Sequence, residues 1–479
     1  MSSSWIIENL NTGGYNTSFE AVDQDSLGNI VATGHSTVDF DSGGVTSEAV
    51  VYKFTPSGKL LWSRSVGTTS GSDAGLGIFV DSLDDSIVIG ATHPFGDGYL
   101  YRFTADGVLD DQCVINPSDP SDTLQIVGIA RYINGTTYRD SVFVLARYLQ
   151  SGVPESTIAL RVNFDFASIP YQKNVSPAGS TTDIVASACF SEDIPPGGRV
   201  SSNSTFLCNY TIGALTQGLL TQLGSNFQPP SGNYTKTIGG GNYNAFMRDA
   251  CLGYAPGVSA ANWYAVGQTA SNQAGGGAVS ALVVKNAGAG YWSIAFGSTG
   301  NQTTFSAYKV EIDGLANVYV LIRESANTSV TPNIGGKLHI VKLTASEPFP
   351  NQYNQPTVIW QREITLNVVS GNNSLTPTGL TVYKNGDFAL TADSSSGPYD
   401  TILAKFASDG SGTGTYQGAR EGLSYTYAAS SITFFNNPDA GYSNLAANVQ
   451  SITTPSPAFT AAVSYQTTVD LSDCISMEP

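Results

Sequence analysis

Short apolar runs recur along the whole chain, each bounded by polar turn residues. Asn29-Ile-Val-Ala-Thr-Gly34 reappears as Ser86-Ile-Val-Ile-Gly-Ala91, Ser141-Val-Phe-Val-Leu-Ala146 and Ser204-Thr-Phe-Leu-Cys-Asn209. It returns as Asn262-Trp-Tyr-Ala-Val-Gly267, Asn317-Val-Tyr-Val-Leu-Ile322 and Asp387-Phe-Ala-Leu-Thr-Ala392, and in degenerate form as Tyr442-Ser-Asn-Leu-Ala-Ala447. The starts lie roughly 55 to 70 residues apart, at or just beyond the span of propeller and solenoid units.

The first copy shows the parts. Phe19-Glu-Ala-Val-Asp23 alternates apolar and polar residues and reads as a half-buried strand. Asp25-Ser-Leu-Gly28 is a turn, and Asn29 to Gly34 is a second strand rich in β-formers. A polar loop, His35 to Glu48, leads to a third strand, Ala49-Val-Val-Tyr-Lys-Phe54. Thr55-Pro-Ser-Gly58 then turns the chain into a fourth, Lys59-Leu-Leu-Trp-Ser-Arg-Ser65. Four antiparallel strands joined by hairpins make one propeller blade, so the pattern predicts an all-β protein built as a single β-propeller.

Two registers recur with the period. The third strand places a basic residue at Lys53, Arg102, Arg161, Lys285, Lys342 and Lys405, with Gln222 and Ser464 at the remaining positions. A long cationic side chain can lie along an apolar face and bring its head to carbonyls or water, which gives this register a structural meaning. A ring of cations gripping an anion is the functional alternative, interrupted at Gln222 and Ser464. The fourth strand repeats an aromatic at Trp62, Tyr171, Tyr234, Trp292, Trp360 and Tyr416. Such residues pack between neighbouring blades; a sugar-stacking surface is the alternative.

The last copy lacks a fourth strand. Its first strand is Ser430-Ser-Ile-Thr-Phe-Phe435 and its third Thr460 to Tyr465, after which the chain is short and polar. The missing piece stands at the other end: Ser4-Trp-Ile-Ile-Glu-Asn-Leu10 is similar to Leu61-Trp-Ser-Arg-Ser-Val66. The expectation is eight four-stranded blades closed by an N-terminal strand, with seven blades plus a C-terminal extension as the alternative. Residues 1–479 then form one domain: 1–15 the closing strand, 16–428 blades one to seven, and 429–479 the eighth blade and a short tail.

Composition narrows the chemistry. Net charge is −17, from 21 Lys and Arg against 38 Asp and Glu, which disfavours a nucleic-acid partner. No apolar run reaches membrane-spanning length, so no membrane insertion is expected. The start, Met-Ser-Ser-Ser-Trp-Ile-Ile-Glu, shows neither the basic nor the apolar region of a secretory signal. Cys113, Cys189, Cys208, Cys251 and Cys474 lack metal-ligand spacing. Cys189 and Cys208 are candidate neighbours on adjacent strands, although buried free thiols are the favoured reading. His35, His93 and His339 are scattered without a nucleophile motif. Asp23-Gln-Asp-Ser-Leu-Gly28 alternates carboxylates before a glycine as calcium loops do, but reads better as a hairpin turn. No catalytic residue, metal site or cofactor is assigned.

Asp25 to Gly34 and Val51 to Trp62 resemble the bacterial β-propeller repeat known as SBBP, which implies a fold rather than an activity. Phe54-Thr-Pro-Ser-Gly-Lys-Leu-Leu-Trp62 is also similar to the tryptophan-docked repeat of quinoprotein dehydrogenases, a family with a quinone, calcium and a catalytic Asp. The full turn-to-Trp segment stands only in the first copy, and there is no adjacent cysteine pair. No quinoprotein residue is therefore carried over.

An acidic, charge-poor propeller rich in Gly, Ser, Thr, Asn and Tyr resembles phage structural proteins. That resemblance implies a non-enzymatic virion component, from a tail, nozzle, fibre or head decoration, in a symmetric oligomeric assembly. A bacterial surface module binding glycan or protein is the alternative, and a propeller lyase or glycosidase the third. Uneven insertions at 190–203, 224–232, 253–261 and 344–357 share one face and carry Pro195-Pro196, Pro229-Pro230 and Pro348-Phe-Pro350. They are the expected contacts to other virion or assembly proteins. The opposite face carries Gly-rich loops, Thr269 to Gly277 and Glu324 to Gly336.

Overall fold

A computed structural model describes residues 4–9, 17–37, 47–67, 72–81, 83–93, 96–116, 121–134, 137–149, 155–177, 184–191, 204–212, 215–223, 235–238, 244–253, 262–269, 279–287, 290–297, 303–326, 336–344, 356–367, 374–394, 400–417, 424–436, 442–444, 447–450 and 475–477. Among these residues every regular element is a β-strand, and the strands form seven sheets.

Each sheet has a core of four antiparallel strands joined in the order of the chain, except that the last takes its fourth strand from the N-terminus. Sheet 1 comprises Thr17–Gln24, Ile30–Ser36, Glu48–Phe54 and Leu60–Val66. Sheet 2 comprises Ala74–Val80, Ile87–Thr92, Gly98–Phe103 and Leu109–Ile115. Sheets 3, 4, 5 and 6 begin at Thr123–Asn134, Ile184–Ser191, Ala245–Gly253 and Thr303–Ile312. Sheet 7 comprises Leu375–Val382, Phe388–Ser394, Asp400–Phe406 and Trp5–Asn9.

The first strands of successive sheets neighbour one another from sheet 1 to sheet 7 and back to sheet 1, which places them around the axis of a closed β-propeller. Each of these first strands carries one extra residue against its partner, the first at Phe19/Ala21 and the last at Pro377/Gly379. A bulge at the same height in every sheet sharpens the local twist, and here it bends every innermost strand alike.

The core is divided in the same way. Seven apolar clusters each join two adjacent sheets. Sheets 7 and 1, for example, share Trp5, Ile7, Phe19, Tyr52, Phe54 and Leu403. Alternation within a strand therefore sends side chains to two interfaces rather than to one interface and water, and the middle strands read as nearly continuous buried runs.

The expectation of eight blades is not met among the described residues. Trp5–Asn9 pairs antiparallel with Asp400–Phe406, so it completes the seventh sheet and leaves no place there for Tyr416. The chain after Phe406 joins the outer edges of existing sheets, moving backward round the ring. Ser424–Ala429 pairs with sheet 6, and Gly414–Gln417, carrying Tyr416, lies outside it. Thr433–Asn436 then adds to sheet 5, Tyr442–Asn444 to sheet 4 and Ala447–Gln450 to sheet 3. Ile475–Met477 pairs with Trp5–Asn9 on sheet 7. The segments read as an eighth copy are strands, but of three or four residues. Strands so short satisfy their backbone groups by capping an edge already present; they are too small to build a new sheet. Thr460 to Tyr465, the expected third strand of that copy, lies outside the described residues.

Trp5 is fully buried, and its Nε1 donates to the Pro56 carbonyl of sheet 1 at 2.9 Å. Trp5→Ala is expected to lower stability to denaturant by about 3–5 kcal/mol, the range for a buried large-to-small aromatic change. An unchanged unfolding midpoint would show that ring closure does not depend on this residue.

Candidate functional site

The basic and aromatic registers prove to be one device. The strand register sets Lys53 opposite Trp62, Lys342 opposite Trp360 and Lys405 opposite Trp5. Each pair reaches sideways to the turn that follows the third strand of the next sheet. Lys53 Nζ and Trp62 Nε1 both donate to the Ala105 carbonyl, at 2.9 and 3.2 Å. Lys342 Nζ and Trp360 Nε1 both donate to Ser408 O, at 3.2 and 3.1 Å. Lys405 Nζ donates to Pro56 O at 3.4 Å, alongside Trp5. Two residues beyond the indole, Arg64 and Arg362 donate from Nε to Gly107 O and Gly410 O.

The aspartates of the first turn complete the device. Asp25 Oδ1 accepts from the backbone N–H of Leu27 and Asn29, while Oδ2 accepts from Asn29 Nδ2 and pairs with Lys53 Nζ at 2.9 Å. Asp313 repeats the pattern with Leu315, Asn317 and Lys342, the ion pair being 3.3 Å. The segment weighed against a calcium loop is thus a hairpin turn whose carboxylates bind named protein donors. Its Asp23 Oδ2 accepts from the Val80 N–H of sheet 2. Arg161 and Lys285 stand opposite Tyr171 and Trp292. Burial brings the Lys285 ammonium down to about 8.

Sheet 2 departs from this pattern. Arg102 occupies the lysine position, but its cross-strand partner is Asp111 where sheet 1 has Trp62. Arg102 donates to Asp110 at 2.8 Å, approaches Asp111 at 3.3 Å and donates to the Phe164 carbonyl of sheet 3. An open groove of about 850 Å³ lies here, against Arg102, Asp110, Ser86, Asp84, Arg161 and Phe164.

Sequence reasoning missed one further constellation, because its members lie far apart in the chain. His339 Nδ1 is 2.8 Å from Ser430 Oγ, and Nε2 is 2.8 Å from Glu324 Oε2. Glu363 Oε2 lies 3.9 Å from the imidazole, and Glu363 Oε1 accepts from Lys337 Nζ. Hydroxyl, imidazole and carboxylate in a row are the parts of a nucleophilic relay. In this instance His339 and Ser430 are buried, and Ser430 Oγ also accepts from Ile432 N. The row fastens the outer strap to sheet 6. His35 lies 3.8 Å from Glu20, and His93 packs its ring near Tyr99.

Cys113, Cys208 and Cys251 are buried free thiols. Cys189 and Cys208 lie on adjacent strands but out of register, paired with Phe206 and Ala186. Of the four insertions, 192–203, 224–232, 254–261 and 345–355 lie outside the described residues, as do Tyr234, Ser464 and Cys474. At the base of the last, Thr344 N donates to Thr357 O at 2.9 Å, which pins the two ends together.

No family model and no curated protein matches the chain in sequence. Among solved structures it is similar to Drosophila Semaphorin 2a, at 8% identity and a TM-score of 0.43, over 92% of this chain and 82% of that one. It is similar to the WD40 domain of SCAP from fission yeast, at 8% identity and a TM-score of 0.31, over 89% and 94% of the two chains. The tail fiber of Staphylococcus aureus phage P68 aligns at 8% identity and a TM-score of 0.18, over 82% and 91%. Likeness at this level carries no argument about function, and the fold stands on the strand pairing.

One carboxyl makes ring packing depend on pH. Asp393, at the boundary of sheets 7 and 1, accepts from Ser18 Oγ at 2.8 and 2.9 Å. Burial pushes it up to about 6, with a smaller push from Glu20. The folded protein therefore holds this proton more tightly than the unfolded chain, where an Asp titrates at about 3.9. Its contribution is fully present below that value and is lost as pH rises through about 6. Asp393→Asn should flatten the fall in melting temperature between pH 4 and pH 7, and an unaltered slope would assign that fall to other groups.

Burial also pushes the Cys113 and Cys208 thiols up to about 12, and Cys251 well above its ordinary value. These thiols should resist a thiol-specific reagent until the protein unfolds. Rapid labelling of any of them in the native state would contradict the packing.

Proposed function

We propose that the protein is a non-enzymatic structural and docking component of a phage virion, in a tail, nozzle, fibre or head decoration, and part of a symmetric assembly. The observation that carries this reading is where the repeated polar side chains go. At three consecutive boundaries the indole and the cation both reach into the next sheet. The residues that recur most regularly thus hold the ring rigid. The strap supports the same reading: it covers the outer edges of sheets 3, 4, 5 and 6 with strands of the same chain. Covered edges keep sheets from pairing between copies, which suits a protein held at high local concentration.

Recognition falls in this reading to the loops, and the insertions at 190–203, 224–232, 253–261 and 344–357 are the proposed contacts to other virion proteins. Their prolines lower the ordering cost of binding. The groove between sheets 2 and 3 favours a second reading, a bacterial surface module that binds glycan or protein.

Mass spectrometry of purified particles against soluble extract is the direct test, with enrichment in particles expected. Shortening 190–203 and 344–357 should leave the melting temperature unchanged and weaken assembly. Normal assembly by these variants would move the contact to another face, and absence of the protein from every particle would end the virion reading.

A further inference from the structure

The groove exists because the boundary of sheets 2 and 3 lacks the aromatic plug found between sheets 1 and 2. Between sheets 1 and 2, Trp62 lies on the turn at Gly107, where a Cβ would come within 2.6 Å of the indole. Gly107 sits at a φ of +78°. The corresponding turn of sheet 3 has Phe166 in the same left-handed region, at +53°. A phenylalanine there is strained. Sheet 2 has Asp111, not an indole, at the position opposite Arg102, so no indole competes with Phe166 for that turn. Phe166 is buried, and Arg102 Cζ stands 4.9 Å from the Phe164 ring and 5.5 Å from that of Phe166. Two departures from the repeat thus meet at one place and leave about 850 Å³ open, within the range of small-molecule sites.

The lining has a definite chemistry. Arg102 holds Asp110, about half-exposed, at the groove, while Asp84, from the turn before Ile87–Thr92, and Arg161, from sheet 3, add an acceptor and a donor. Ser86 also lines the groove. It is 7% exposed, and its Oγ has no hydrogen-bond partner among the described residues. An unmatched buried hydroxyl is costly to keep, which is intelligible where a ligand supplies the match. Carboxylates and guanidinium groups side by side repel part of any ligand of single fixed charge. Adjacent hydroxyls, each both donor and acceptor, suit such alternating partners, and the half-buried Phe164 offers an apolar surface to C–H groups.

We propose that this groove binds a neutral saccharide of one or two rings. The proposal deepens the second reading, on whose groove it rests, and stands on residues other than those of the docking role, so either can fail alone.

The test titrates the purified full chain with glucose, galactose, mannose and N-acetylglucosamine, followed by saturation-transfer NMR and calorimetry. At least one sugar should bind saturably at one site per chain. Ser86→Ala and Asp110→Asn should each weaken that binding about tenfold, as expected for a lost hydrogen bond to a charged or buried group. Ser86→Ala should keep or raise the melting temperature, because it removes an unmatched hydroxyl, and so reports on binding even if Asp110→Asn fails to fold. Inorganic phosphate, the charged control, should not compete. Lack of saturation by every sugar, equal binding by a folded Ser86→Ala, or displacement by phosphate would each overturn the proposal.

Discussion

One turn carbonyl receiving an indole N–H and an ammonium from the neighbouring sheet is the contact on which the ring depends. Backbone hydrogen bonds satisfy each sheet internally and tie successive sheets at loop positions, as from Leu124 N to Gly96 O and from Phe305 N to Val279 O. Apolar packing joins the sheets strongly but without direction. The paired donors at Ala105, Ser408 and Pro56 supply the direction. The indole also buries a large apolar area, and the ammonium contributes a charge-assisted bond. Position and adhesion thus come from adjacent side chains on paired strands.

The three boundaries fastened in this way are consecutive: sheet 6 to 7, 7 to 1 and 1 to 2. They flank the strand Trp5–Asn9, which lies about 400 residues from its partner in the chain. In sheets 2 and 3 the repeat has drifted: Asp111 stands opposite Arg102, and Tyr171 opposite Arg161; sheet 5 keeps the pair as Lys285 opposite Trp292, and the turn of sheet 6 that faces it lies outside the described residues. One of the three fastened boundaries, sheet 7 to sheet 1, is the closure itself, where the indole comes from the N-terminal strand and the ammonium from Lys405.

Much of this was legible in the sequence because it is local. Alternation, turn residues and the positions of Lys53 and Trp62 fall within one hairpin, so the strand pattern and the two registers could be read directly, though not that they act together. The number of sheets could not. Ser430 to Phe435 has the composition of a strand, but composition does not say whether a strand founds a sheet or joins an existing edge. The first-strand bulges were hidden for a related reason, since an extra residue shows only against its partner strand. His339 and Ser430, 91 residues apart, carry no mutual signal. The groove did leave a trace, because the second copy is missing from the aromatic register, but a gap in a repeat has no chemistry until the facing turn is known.

The first strand also imposes a schedule on synthesis. Its pairing partner, Asp400–Phe406, is translated about 400 residues later, which at roughly 5–20 residues per second means a delay on the order of 20–80 s. Trp5, Ile6 and Ile7, buried in the finished ring, lack their native strand partner during that time. The intervening hairpins can form as they emerge, since their contacts are local. Closure waits, and a nascent chain carries an unpaired apolar strand at its leading end while neighbouring ribosomes produce copies of the same complementary edge. Exchange of that strand between chains made on one messenger is therefore the characteristic misassembly to which this architecture is exposed.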